Sequence, residues 1–301
     1  MRDSCSRIGL GTAQIGMPYG VTNTAGMPGM AEAERILICA LENGIDLFDT
    51  AHGYGGGESE RRLGRFLPAD YGRIVTKLPP LPPSVAKPEI ADFVRMSFRQ
   101  SLRRLGRKRV YGLLGHRVGD FSDSENASAL FEAMQSLKEE GKVAKIGISV
   151  YEAQEIDAIL ETFPMDLIQL PLSVFDQRLL HSGHLSALHE KNVEVHARSI
   201  FLQGLLLTRA SNLPQAVAKN ERLLTDYHAF LDERKISPLH AALGFVLGIE
   251  EVDHVVVGVT CASEMNGIID ACREMPTSVS ALRRFAAIDP AFLNPSRWNL
   301  S

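Results

Sequence analysis

The stretch AEAERILICALENGIDLFDT, residues 31–50, contains one complete structural step of the chain. Within Ala31–Asn43, the apolar residues Ile36, Ala40 and Leu41 recur at about one helical turn, which defines a helix with one buried face. Gly44 follows immediately, where a left-handed residue closes a helix without a Cβ clash. The short run Asp46–Phe48 then reads as a strand, and it ends on an acid, Asp49.

The same alternation extends in both directions. The other strands are Arg7–Leu10, Arg73–Thr76, Val110–Leu114, Val143–Ser149, Asp166–Leu170, Val193–Ala197 and His254–Gly258. Helical spacing returns in Ile90–Leu105, Asn126–Glu140 and Ala153–Leu160, and Gly141 supplies another stop signal. Repeated strand–helix steps require a parallel sheet, because each parallel neighbour is reached by a crossover. Closing that sheet removes its edges, so the expected fold is a (β/α)8 TIM barrel, a single domain over residues 1–301. An open doubly wound sheet is the competing architecture, but no GxGxxG follows the first strand. Two segments interrupt the rhythm. LPPLPPSVAKP, Leu78–Pro88, holds five of the fifteen prolines and must be an extended loop; Leu205–Ser237 is a long connection with a helical stretch around Gln215–Arg234. Both follow strands and so belong to the rim that carries function in such barrels.

Composition narrows the partner. The 301 residues are 45% apolar and 23% charged, with net charge −4. This balance gives no basis for binding nucleic acid or an anionic membrane, and a small molecule fits better. The opening MRDSCSRIGLGTAQIG lacks a signal-type apolar core, and no run approaches a membrane span. Cys5, Cys39, Cys261 and Cys272 are scattered without CxxC or metal-ligand spacing. The expectation is reduced thiols in a cytoplasmic protein with no metal, a monomer or small homo-oligomer.

The densest polar cluster, FDTAHGYGGGE, runs from Phe48 to Glu58. It leaves a strand at Asp49, turns through glycines and enters a helix. The next strand delivers Lys77, the one after it delivers His116, and Tyr54 lies on the intervening loop. Successive strand ends therefore present Asp, Lys and His to one pocket. These types suit carbonyl reduction, which needs hydride at carbon and a proton at oxygen. A free tyrosine, with pKa about 10, relays protons poorly near neutrality, and a lysine ammonium nearby favours tyrosinate and lowers that pKa. Asp49 would pair with Lys77, and His116 would donate a hydrogen bond to the carbonyl oxygen.

GLGTAQ, FDTAHGYGGGESERRLG, VTK, LLGHR, KIGIS and ARSIFLQGLL occur in the order and spacing of the aldo-keto reductases, and the resemblance covers roughly Ile8 to Ala271. The opening GTAQIGMPYG resembles a bacterial branch with sugar or aldose dehydrogenase-like members. The resemblance implies an NAD(P)H-dependent oxidoreductase that interconverts a carbonyl or sugar and an alcohol, with Asp49, Tyr54, Lys77 and His116 as catalytic tetrad. It implies cofactor contacts at Gly11 and Thr12, at Ser149 and Gln169 for the nicotinamide carboxamide, and at Ser199, Phe201, Gln203 and Gly204 around the pyrophosphate. Gly258, Thr260 and Glu264 fall at the adenosine end.

The chain departs from the family pattern in several places. Val150 stands where many members have Asn. Arg198 replaces the aromatic ring that stacks on nicotinamide, although a guanidinium can also stack on a flat ring or clamp a phosphate. GVTCASEMNGI lacks the base that neutralises the 2′-phosphate of NADPH, and Glu264 would accept from a ribose diol, so NADH is expected to bind at least as well. Few residues follow Arg284, which leaves specificity to Leu78–Pro88, Gly115–Asp123 and Leu205–Ser237, with Trp298 packing on the body. A nicotinamide-sensing regulator on the same fold is the alternative function. A barrel isomerase or metal hydrolase is a third, but no HxH or carboxylate ligand set follows the first strand.

Overall fold

In the computed structural model, which describes residues 4–209, 215–274 and 280–298, eight parallel strands close into a barrel in sequence order. The strands are β1 (Ile8–Gly11), β2 (Leu47–Asp49), β3 (Arg73–Lys77), β4 (Val110–Gly115), β5 (Val143–Ser149), β6 (Leu167–Pro171), β7 (Glu194–Arg198) and β8 (His254–Gly258). Gly11 of β1 is in register with both Asp49 and Gly258, which closes the ring. The expected TIM barrel is the observed fold.

The connecting helices follow the apolar pattern closely. Met30–Glu42 buries Ala33, Ile36, Leu37 and Ala40 against the barrel and stops at Gly44, whose φ is +75°. Ile90–Leu105 ends at Gly106, and Ser124–Glu139 ends before Gly141, both glycines left-handed. The expected helical stretch near the seventh strand is two helices, Gln215–Ala218 and Glu221–Arg234, followed by Pro238–Leu247. Part of the long connection, residues 210–214, lies outside the described residues. Trp298 is buried, and its indole N–H donates to the carbonyls of Ala291 and Phe292 at 3.0 and 3.2 Å.

Strand boundaries shift by one residue where a side chain has other work. Arg7 belongs to the turn Ser4–Arg7, and its guanidinium caps the carbonyls of Leu247 and Ile249 at 2.6 and 2.8 Å. Asp166 precedes β6 and binds Lys138, with both oxygens at 2.7 Å.

The barrel interior is layered, because every second residue of a strand points inward. Leu47, Val75, Leu114 and Leu167 form a fully buried apolar plug. Two residues further along the strands lie Asp49, Lys77 and Gln169; two residues back on β3 lies Arg73. The layer beneath the plug is polar. Glu194 accepts from Tyr111 Oη and from His196 Nε2, each at 2.7 Å, and is also bonded by Lys145. Arg73 donates to His254 Nε2 at 3.0 Å, and the His196 and His254 rings meet edge to face at 5.0 Å. Burial, helped by His196 and Arg73, pushes His254 down to about 4. The unfolded chain, with histidine near its ordinary value of about 6.5, then binds more protons below that pH.

Stability should therefore decline as pH falls from about 6.5 towards 4. His116, with the same sign of shift, steepens the decline. Thermal melts at pH 7 and pH 5 should show a larger drop in Tm for the wild type than for His254→Gln.

Candidate active site

The loop that carries Tyr54 is shaped by three glycines. Gly55, Gly56 and Gly57 have φ of +59°, +60° and +87°, and Gly57 starts the helix Glu58–Phe66. A Cβ on Gly55 would sit 1.9 Å from the Gly16 carbonyl oxygen, so no other residue fits without moving the backbone. The strand end beside the loop is tied by hydroxyls. Thr12 donates through both its backbone N–H and its Oγ1 to the Asp49 carbonyl at 2.8 Å, and Ser59 Oγ donates to the Thr12 carbonyl at 2.9 Å. Glu60, fully buried, accepts from Thr76 Oγ1 at 2.8 Å and from Arg104 at 3.1 Å.

All four residues of the expected tetrad converge. Lys77 Nζ donates to both Asp49 oxygens at 2.7 and 2.8 Å and to the Thr50 carbonyl at 3.0 Å. Gln169 Nε2 donates to Asp49 Oδ2 at 2.7 Å. Lys77 Nζ lies 5.3 Å from the centre of the Tyr54 ring, and the Tyr54 and His116 rings meet edge to face at 6.0 Å.

The electrostatics correct one expectation. Lys77 was expected to lower the Tyr54 pKa, yet burial, reinforced by the Asp49 charge, pushes it well up. Burial and the Asp49 carboxylate both favour the protonated phenol, and together they outweigh the lowering by Arg198. Burial lowers Lys77 itself, against the pull of Asp49. Burial and the Lys77 charge push His116 down to about 4, so its imidazole is neutral at pH 7.

From Asp49 and Tyr54 a groove of about 560 Å³ runs across the barrel mouth to Glu264. Among the expected cofactor residues it is lined by Gly11, Thr12, Gln169, Arg198, Ser199, Phe201, Gln203, Gly204, Gly258, Thr260 and Glu264. Ser149 does not line it; its Oγ accepts from Arg198 at 3.3 Å. The Val150 carbonyl accepts from Arg198 at 2.9 Å. Glu264 Oε2 is already engaged with the Thr260 N–H and hydroxyl at 2.6 and 3.0 Å. The segment after β7 is strained, with left-handed φ at Ser199, Leu202 and Gln203. Each such residue costs about 1–2 kcal/mol, and strain of this kind clusters at ligand sites.

Some groove residues escaped the sequence reading. Tyr19, Thr22 and Asn23 come from the loop after β1, which is tied across the groove by Val21 N–H to Gln203 Oε1 at 3.1 Å and Thr22 Oγ1 to the Gln203 carbonyl at 3.1 Å. Tyr151 stacks on Arg198 at 4.1 Å. Its place just after the β5 strand end was the available signal. Ser237 and Leu239 bring the start of the helix Pro238–Leu247 to the groove, foreshadowed by Ser followed by Pro.

Comparison with known proteins gives the family. The model of the Aldo/keto reductase family matches residues 7–289. The chain belongs to that family. It is 29% identical to an L-galactose dehydrogenase of Arabidopsis thaliana, covering 90% of this chain and 85% of that one. It is 26% identical to a pyridoxal 4-dehydrogenase of Microbacterium luteolum, covering 84% and 85%. An aldo-keto reductase structure from Bacillus halodurans, a holo form, shares the fold with TM-score 0.74 at 22% identity, covering 97% of this chain and 94% of that one. Family membership makes the protein an oxidoreductase of the carbonyl–alcohol type. Among the described residues no helix is long and apolar enough to cross a membrane.

The Tyr54 loop offers a direct check on this geometry. Gly55→Ala should destabilise the protein by about 2–4 kcal/mol, from the left-handed backbone and the clash with Gly16. Urea unfolding should show the loss, and activity should fall with it as Tyr54 is displaced.

Proposed function

We propose that the protein reduces an aldehyde or sugar carbonyl, or oxidises the corresponding alcohol, at the Tyr54 end of the groove. The observation that carries this reading is the buried Asp49–Lys77 pair next to Tyr54 and His116, at one end of the groove. A volume of about 560 Å³ suits a cofactor site. A bound nicotinamide would supply the hydride. The residues of the chain handle the oxygen.

Tyr54, kept protonated by burial, is poised to donate its proton to a carbonyl oxygen. Neutral His116 donates an N–H to the same oxygen and stabilises the charge that develops there. Lys77 stands beside the Tyr54 ring, where its ammonium stabilises the tyrosinate left behind, and Asp49 holds it in place. Ser199, Phe201, Gln203 and Gly204 form the segment that meets a pyrophosphate, with Gly11, Gly258 and Gln169 lining the remainder.

The cofactor reading favours NADH. Among the described residues lining the groove, Arg198 is the one cation, and it lies on the Tyr54 side. At the far end Glu264 lines the groove and accepts from the Thr260 N–H, and behind it Glu32 accepts from the Ala262 N–H at the start of the helix Ala262–Arg273. Their charge opposes a 2′-phosphate. The substrate reading favours an aldose or small aldehyde, supported by relatives named as L-galactose dehydrogenase and as a D-threo-aldose 1-dehydrogenase from Pseudomonas, the latter 27% identical over 66% of this chain and 67% of that one.

Turnover of aldoses and simple aldehydes, followed at 340 nm with NADH and then NADPH, tests the reading. NADH should serve at least as well as NADPH, and Tyr54→Phe should lose on the order of 10²-fold or more in kcat while retaining NADH affinity. Undiminished turnover by Tyr54→Phe would refute the assigned role, and a strong NADPH preference would refute the cofactor reading.

A further inference from the structure

Arg198 ends β7 at the groove and is fixed from several sides. Its Nε donates to Ser149 Oγ at 3.3 Å, its Nη1 to Ser199 Oγ at 3.3 Å and its Nη2 to the Val150 carbonyl at 2.9 Å. Its guanidinium carbon lies 4.1 Å from the centre of the Tyr151 ring. Every one of these partners is neutral, so the positive charge is held in place without being cancelled. The charge reaches the tetrad. It opposes burial at Tyr54, and it adds to the lowering of Lys77 and His116.

If the groove holds a nicotinamide nucleotide, as proposed, reaction geometry limits where the ring can lie. The carbonyl oxygen must be within hydrogen-bonding reach of Tyr54, and hydride transfer needs reacting atoms about 3–3.5 Å apart. The ring therefore lies in the part of the groove that Tyr54 and Arg198 line together. That ring is neutral in the reduced cofactor and carries a full positive charge in the oxidised one. An aromatic side chain here would attract the cation through its π face. A guanidinium does the opposite.

We infer that Arg198 makes the groove selective for the redox state of its cofactor, holding the reduced dinucleotide and disfavouring the oxidised one. Two like unit charges in one partly buried groove repel, and a difference of about tenfold in affinity needs only about 1.4 kcal/mol of that repulsion. The protein would then keep its reduced cofactor against an excess of the oxidised form, and would release oxidised cofactor readily after reducing a carbonyl.

Binding measurements decide the matter without turnover. NADH is titrated by its fluorescence, and NAD+ and ADP-ribose by displacement of NADH, on wild type, Arg198→Gln and Arg198→Lys. NAD+ should bind wild type about tenfold or more weakly than NADH. The ratio should shrink in Arg198→Gln and persist in Arg198→Lys, with ADP-ribose affinity little changed. A wild-type ratio near one overturns the inference, and that result stands even if the Gln variant fails to fold. Equal weakening of NADH, NAD+ and ADP-ribose in Arg198→Gln also overturns it, because the arginine would then be gripping the diphosphate. If wild type binds neither NADH nor NAD+, the nicotinamide reading itself fails, and the inference with it.

Discussion

Asp49 and Lys77 face each other across adjacent strands with almost no access to water, their side chains 6% and 1% exposed. Neither charge is tolerable there alone. Removing one partner of such a pair leaves an uncompensated buried ion and costs about 3–5 kcal/mol. The surrounding groups complete the arrangement: Gln169 and the Thr50 carbonyl take up remaining hydrogen bonds, and Thr12 and Ser59 fix the strand end that carries Asp49. The pair also sets the chemistry above it. Burial, reinforced by the Asp49 charge, governs Tyr54 and keeps it protonated, which suits a proton donor.

The apolar plug of Leu47, Val75, Leu114 and Leu167 separates this layer from a second charged one at the other end of the barrel. There, Lys145 and His196 pair with Glu194, and Arg73 pairs with Asp46 and donates to His254. Arg198 differs from these groups. It is tethered by neutral atoms at the groove, so its field falls on whatever binds there. Function at the mouth of the barrel thus depends on which charges are balanced and which one is left.

The barrel was legible because each strand is a short apolar run and several helices end on glycine, as at Gly44 and Gly141. The convergence of the candidate residues was legible for a related reason: Asp49, Lys77 and His116 each follow or end a strand, so their meeting follows from the fold. What burial does to charge was not legible. The direction of the Tyr54 shift depends on how deeply the phenol is enclosed and on the Asp49 charge near it, which no spacing reveals. The loop at Tyr19 was missed because its path, not periodicity, brings it to the groove. The lower polar layer draws Arg73, Tyr111, Lys145, Glu194, His196 and His254 from five strands, and only the closed register unites them.

The account stands on the Asp49–Lys77 pair as a mutually dependent unit, and a double-mutant cycle measures that dependence directly. Urea unfolding of Asp49→Leu, Lys77→Met and the double variant should give two large single losses and a double loss well short of their sum, a coupling of about 2 kcal/mol or more. Losses that simply add would show that the two charges do not hold each other, and would contradict the arrangement on which the site is built.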